Sequence, residues 1–149
     1  CQQVACKMRM IMELEDLGEQ LYNLLAQVLN RPENRAFFDS IRGEYGVLWY
    51  LLTKKEAVSA GELKEKLHVV PGRMTDILTA LEKKGLIIRQ KNKTDKRVVD
   101  VVLTKEGEKE AARRRKEIHE EYRGLFEILG YDDAKELIRL LKILLTYKK

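Results

Sequence analysis

The 149 residues hold only two cysteines, two prolines, two histidines and one tryptophan. Cys1 and Cys6 are too few and too close to one end to build a disulfide framework. His68 and His119 stand far apart, and neither has the ligand spacing of a zinc site, so no metal and no cofactor is expected. No apolar run approaches the roughly 18–20 residues that span a bilayer. A signal-peptide pattern is also missing, which makes no membrane partner and a cytoplasmic location the expectation. There is no nucleophile–base pair, no metal cluster and no glycine-rich phosphate loop, so the chain reads as a non-enzyme.

The two prolines punctuate what is there. Arg31-Pro32 ends a first helical stretch, and Pro71 suits the first turn of a later helix, where a missing N–H costs nothing. After Pro71 come Met74, Ile77, Leu78 and Leu81, at i, i+3, i+4 and i+7 on one helical face. Gly85 suits the left-handed residue just past that helix. Leu86-Ile87-Ile88 and Val98 to Leu103 then read as two short β-branched strands around a polar tip, Lys91 to Lys96. Upstream, Ser59-Ala60-Gly61-Glu62 has the form of a capping box opening a short helix, with Leu63 and Leu67 facing inward. His68-Val69-Val70 is a turn of helix-turn-helix length. A helix-turn-helix followed at once by a basic hairpin is the outline of a winged helix.

Charge gives that outline a function. Between Lys83 and Arg97 there are seven basic residues (Lys83, Lys84, Arg89, Lys91, Lys93, Lys96 and Arg97) against one acid, Asp95, while the whole chain carries only +5. Positive charge concentrated beside a helix-turn-helix points to double-stranded DNA as partner. On the helix, Arg73, Thr75, Asp76, Thr79 and Lys83 lie away from the apolar face and are candidates for the major groove. Lys91, Lys93 and Lys96 are candidates for phosphate contact, and Arg89 is a further candidate for DNA binding. Asp76 is awkward beside phosphates, and orienting Arg73 is its expected role.

The run from Arg73 to Gly107 resembles the MarR family of transcriptional regulators. LEKKGLI at Leu81 to Ile87, the Asp95-Lys96-Arg97 triplet and LTKEG at Leu103 to Gly107 match its pattern in order and spacing. The resemblance implies a dimer in which N- and C-terminal helices intertwine and two winged helices read a two-fold symmetric operator. It also implies that Arg97 enters the minor groove while Asp95 holds it. Family members often bind small aromatic effectors between the dimer helices and the winged helix; Tyr22, Tyr45, Trp49, His119 and Tyr122 could line such a pocket.

The flanking segments are apolar on their own account. Met10, Leu14, Leu17, Leu21, Leu24 and Val28 alternate steps of four and three, a coiled-coil-like seam that suits either a core helix of the same chain or a dimerisation arm. Phe37 and Phe38 fall in a helical turn at Glu33 to Asp39, and Ser40 is the expected cap of a core helix through Val47 to Leu52. Thr104 caps a long charged helix; its Arg113 to Lys116 run reads as a solvated face. Gly130 breaks that helix, and Asp132-Asp133 caps a last one carrying Leu137, Leu141 and Leu144. An apolar surface this wide on a terminal helix needs a cover, and a second copy is the expected one.

The expected fold is mainly α with a small β-hairpin wing. One unit spans 1–149, with the winged helix-turn-helix at 40–104 and dimerisation helices at 10–29 and 105–149. The expected function is a dimeric regulator, a repressor released by a small-molecule effector, on an inverted-repeat operator. Two alternatives stay open: a thiol switch at Cys6, with Lys7 and Arg9 nearby to lower its pKa, and a winged helix used only for protein contacts.

Overall fold

The computed structural model describes residues 1–148; of Ala36 only its place in a helix is described. Its elements are α1 (Gln2–Asn30), α2 (Pro32–Ile41), α3 (Glu44–Lys54), β1 (Val58–Ser59), α4 (Ala60–Lys66), α5 (Pro71–Lys83), β2 (Ile87–Lys91), β3 (Val99–Leu103), α6 (Lys105–Leu129) and α7 (Tyr131–Leu144). The fold is mainly α with a small antiparallel sheet, as the sequence pattern leads one to expect.

The core gathers around the helix-turn-helix. Met74, Ile77, Leu78 and Leu81 of α5 are all buried, together with Leu63 of α4, Val47, Leu48 and Leu51 of α3, Ile87 and Val101 of the sheet and Ala111 of α6. An i, i+3, i+4, i+7 stripe must turn inward to leave water, and α5 does so. Trp49, Tyr50 and Leu52 are half-buried, so the apolar run of α3 is covered almost all round.

Two of the expected side-chain caps form. The Ser59 hydroxyl accepts from the Glu62 amide at 3.1 Å, and the Thr104 hydroxyl accepts from the Gly107 amide at 3.0 Å. The capping box at Ser59 is one-sided, however. The Glu62 carboxylate turns instead to α3, where it accepts from the Tyr50 hydroxyl at 2.6 Å and lies 3.7 Å from Lys54 Nζ. That hydroxyl bond raises the Tyr50 pKa above the usual phenol value, burial adding to it.

Five local expectations differ. Helix α1 begins at Gln2 rather than near Met10, since nothing between them disfavours helix. Ser40 lies inside α2, its hydroxyl donating to the Phe37 carbonyl at 2.6 Å, and Gly43 is the N-cap of α3. Where two strands are expected, Val58 and the capping residue Ser59 pair with Val101 and Asp100 and make the sheet three-stranded, in the order β1-β3-β2. Lys91, expected in the tip, ends β2 opposite Val99. Gly130, not the Asp132-Asp133 pair, occupies the N-cap of α7; the two acids lie in its first turn, where they complement the helix dipole.

Two glycines are structural requirements. Gly85 takes the left-handed conformation, φ 73°, that reverses the chain from α5 into β2. Gly107 lets the first turn of α6 pass against the Leu86 carbonyl and the Leu103 side chain, both of which a Cβ would strike.

Outside this core the chain is open. No described residue of α1 is buried, and Ala134 alone is buried in α7. Leu14, Leu17 and Leu21 are 60%, 58% and 54% exposed, and Leu137, Leu141 and Leu144 are exposed as well. Among the described residues, no helix is long and apolar enough to cross a membrane.

Candidate nucleic-acid interface

Helix α5 and the wing present one continuous polar surface. With its apolar stripe turned into the core, α5 leaves Arg73, Thr75, Asp76, Thr79 and Lys83 exposed. The side chains of Arg73, Asp76 and Lys83 make no hydrogen bond or ion pair with another described residue, so the expected Arg73–Asp76 contact is not formed. Thr75 donates its hydroxyl to the Pro71 carbonyl at 3.1 Å, which stiffens the first turn. His68, in the turn before α5, holds φ at 52°, an uncommon conformation for a residue with a Cβ.

The wing tip is built by one asparagine. Asn92 Oδ1 accepts from the amides of Thr94 and Asp95 at 2.9 and 3.0 Å and from the Thr94 hydroxyl at 2.7 Å. Its amide nitrogen donates to Asp100 across the hairpin at 3.0 Å. An Asx turn closed in this way holds the tip in one shape without a hydrophobic anchor.

Inside that frame Asp95 and Arg97 form a fork. Arg97 Nε and Nη2 donate to the two carboxylate oxygens at 3.0 and 3.1 Å, and the Arg97 amide donates to Oδ1 at 3.1 Å. The Arg97 side chain is nonetheless 90% exposed, so the pair aims a guanidinium outward rather than hiding it. The same bonds lower the Asp95 pKa below the usual carboxylate value. Lys91, Lys93 and Lys96 are exposed around it.

Arg89 has a different setting from the lysines. Its Nη2 donates to Glu82 Oε1 at 3.2 Å, its Nε to Oε2 at 3.4 Å, its backbone N–H to Oε2 at 2.9 Å and its Nη1 to Thr79 Oγ1 at 3.3 Å. The guanidinium expected to meet DNA is thus engaged by α5. Glu82 was not among the candidate residues. Periodicity marks it only as polar, and the pairing depends on how the chain turns at Gly85.

The aromatic candidates divide. Tyr45 and Trp49 stack on α3 with centroids 6.3 Å apart, and the Arg115 guanidinium lies 4.8 Å from the Trp49 centroid. Burial raises the Tyr45 pKa, with Arg115 and then Arg114 pulling it back. Tyr122 meets Phe37 edge-on at 5.3 Å and stacks on Phe126 at 6.0 Å. It borders a groove of about 480 Å³ with Val28, Asn34, Phe37, Phe38 and Leu125. It also borders a more apolar groove of about 870 Å³ between α6 and α7, which His119 lines too. Tyr22 stands on the exposed surface of α1 and lines neither groove.

Two other features are accounted for locally. In the basic run of α6, Arg113 pairs with Glu110 and Glu117, and Arg114 with Glu117. Cys1 and Cys6 are exposed free thiols. Among the described residues, no group of three His, Cys, Asp or Glu side chains could hold a metal ion.

A helix-turn-helix with a basic antiparallel wing, packed on one core and flanked by long helices, is a winged helix. Within that class, residues 42–99 match the family model described as "MarR family". Over 96 residues the chain is 37% identical to the HTH-type transcriptional regulator FarR of Neisseria gonorrhoeae, covering 64% of this chain and 63% of FarR. The chain therefore spans somewhat less than two thirds of that relative. A probable transcriptional regulator from Pseudomonas aeruginosa superposes with a TM-score of 0.70 at 22% identity, over 86% of this chain and 98% of the other. The S. aureus MepR–DNA complex superposes with a TM-score of 0.65 at 19% identity, over 86% and 96% of the two chains. At these identities the structural likenesses establish the fold.

Proposed function

We propose that this chain is a dimeric, sequence-specific DNA-binding transcriptional regulator and not an enzyme. One observation carries the reading. The exposed face of α5, with Arg73 and Lys83, and a wing bearing Lys91, Lys93, Lys96 and an outward-aimed Arg97 form adjacent parts of one polar surface. A protrusion the width of an α-helix fits the major groove of B-DNA, and an extended guanidinium fits the narrower minor groove beside it. A winged helix serving only protein contacts has no need of so much positive charge on the hairpin. The match of residues 42–99 to the MarR family model and the naming of FarR as a transcriptional regulator support the same reading.

The dimer is formed by α1, α6 and α7, which leave large apolar side chains such as Leu14, Leu21, Ile128, Leu141 and Leu144 exposed. Exposed leucine rows of this extent favour association through the hydrophobic effect. Two-fold symmetry then presents two winged helices to an inverted repeat, with half-sites about one helical turn apart. A dimer seated there occludes the duplex it covers, so repression is the expected sign at an operator that overlaps a promoter, in the compartment that holds the chromosome. The grooves beside Tyr122 suit a small aromatic effector, which would alter the spacing of the two winged helices.

Binding-site selection from a random duplex pool tests this. The expected product is an inverted repeat whose bound fraction falls steeply with salt. Recovery of no duplex above background, at low salt and micromolar protein, would overturn the reading.

A further inference from the structure

The wing is attached to the recognition helix by a specific polar clamp. Strand β2 is an edge strand of the β1-β3-β2 sheet, so the N–H groups on its outer side have no strand partner. Arg89 pairs with Val101 in register, yet its own N–H points away and donates to Glu82 at 2.9 Å. The same carboxylate takes two guanidinium bonds, and the third guanidinium nitrogen donates to Thr79, one turn back along α5. Thus Glu82 and Thr79 of the helix hold both the backbone and the side chain of one β2 residue.

This arrangement is costly for a DNA-binding surface unless it does something. A carboxylate on the helix facing a polyanion is repelled, and the guanidinium it occupies is withheld from phosphate. On charge alone, Gln at position 82 is better than Glu.

We propose that Glu82 is a positioning residue for DNA binding: through Arg89 it sets the angle at which the wing leaves the recognition helix. The inference rests on the DNA-binding reading above. Sequence reading sees α5 and the hairpin as two separate elements joined at Gly85, and a left-handed glycine by itself leaves the joint free to pivot. The clamp closes the joint seven residues across that turn. Arg97 and the wing lysines then arrive at the backbone in register with the helix, without a search over wing orientations. Because the Glu82 and Arg89 side chains are 40% and 27% exposed, their pair adds little to fold stability, and its effect falls on binding.

The test uses the full chain and the duplex recovered by selection. Glu82→Gln removes the charge at constant shape, and Arg89→Lys keeps the charge but loses the fork. Both are expected to weaken binding about tenfold, the scale of one lost charge-assisted hydrogen-bond pair. Both are expected to keep the wild-type melting temperature within a few degrees. If one of the two fails to fold, the other carries the test alone. Each is repeated in a chain with Lys91→Ala, Lys93→Ala, Lys96→Ala and Arg97→Ala. There the further loss is expected to vanish, because a wing without contacts gains nothing from being aimed.

Equal or tighter binding by Glu82→Gln, where the wild type binds, overturns the inference and leaves the DNA reading standing. So does an equal loss in the wing-neutralised background, which would place the effect in the helix. Failure of the wild type to bind any duplex overturns the DNA reading instead.

Discussion

The hydroxyl of Thr104 donates to the carbonyl of Gly85, nineteen positions earlier, at 2.7 Å, and accepts from the amide of Gly107 at 3.0 Å. One oxygen therefore caps α6 and ties that cap to the turn that ends α5. The Thr104 amide adds a bond to the Leu86 carbonyl at 3.1 Å. These bonds tie α6 to the end of α5, at the junction between the winged helix and the flanking helices.

Thr104→Val keeps the shape but removes both hydroxyl bonds. It should destabilise the fold by about 1–2 kcal/mol, the usual range for a lost N-cap, whereas Thr104→Ser should retain most of the stability. Denaturant melts of the three chains check this; indistinguishable Val and Thr midpoints would remove the hydroxyl from the account.

Gly107→Ala runs against helix propensity. Alanine is the better helix former by about 1 kcal/mol, yet the added methyl would strike the Leu86 carbonyl and Leu103. Backbone cannot rotate away as a side-chain tip can, so a net loss of about 1–3 kcal/mol is expected, typical of overpacking. A stabilised Gly107→Ala would mean that α6 does not approach Leu86 so closely.

Leu141→Glu and Leu144→Glu should turn the dimer into monomers at micromolar concentration, because each would bury an unpaired carboxylate at the interface of two apolar helices. Sedimentation velocity at several concentrations reads the result directly. A wild type that sediments as a monomer would sink the proposed assembly, and with it the inverted repeat.

Lys91→Ala, Lys93→Ala and Lys96→Ala should each weaken all duplexes alike and lower the slope of log affinity against log salt by about 0.9. Arg97→Ala should instead lose most on sites with A·T-rich flanks, where a narrow minor groove concentrates negative potential. An unchanged salt slope in the triple lysine variant would take the wing off the DNA.

Glu82 and Asp95 should both titrate below the ordinary carboxylate range, since hydrogen bonds from Arg89 and Arg97 favour their charged forms. A depressed pKa means the pairing is fully present above the unfolded value and is lost as pH falls through the folded one. The clamp and the fork should therefore be intact at neutral pH and open only in acid. Carboxyl carbon NMR follows each residue; a titration at or above the ordinary value would show the pair open in solution.

The core face of α5, the caps at Ser59 and Thr104, the turn at Gly85 and the basic wing were all legible in the residue order. Each is a local property: a helical stripe, a hydroxyl three residues before an amide, a glycine after the last apolar position, a run of like charge. The apolar rows of α1 and α7 were legible for the same reason, but the exposure of the α1 row was not, because periodicity does not say what covers a face, and its start at Gln2 was not, because helix propensity marks cores better than ends. Other features depend on where distant segments meet. Strand β1 is two residues long and carries no periodicity; it exists because β3 has a free edge beside Val58. Glu62 fits a capping box, but Tyr50 lies within 2.6 Å of it and takes the carboxylate. Arg89 counts as one more positive charge in the wing until the fold brings Glu82 and Thr79 against it, and its partners follow from the angle between α5 and β2. Spacing along the chain reports which face a residue occupies, while the partner across that face depends on chain reversals and packing that no single element encodes.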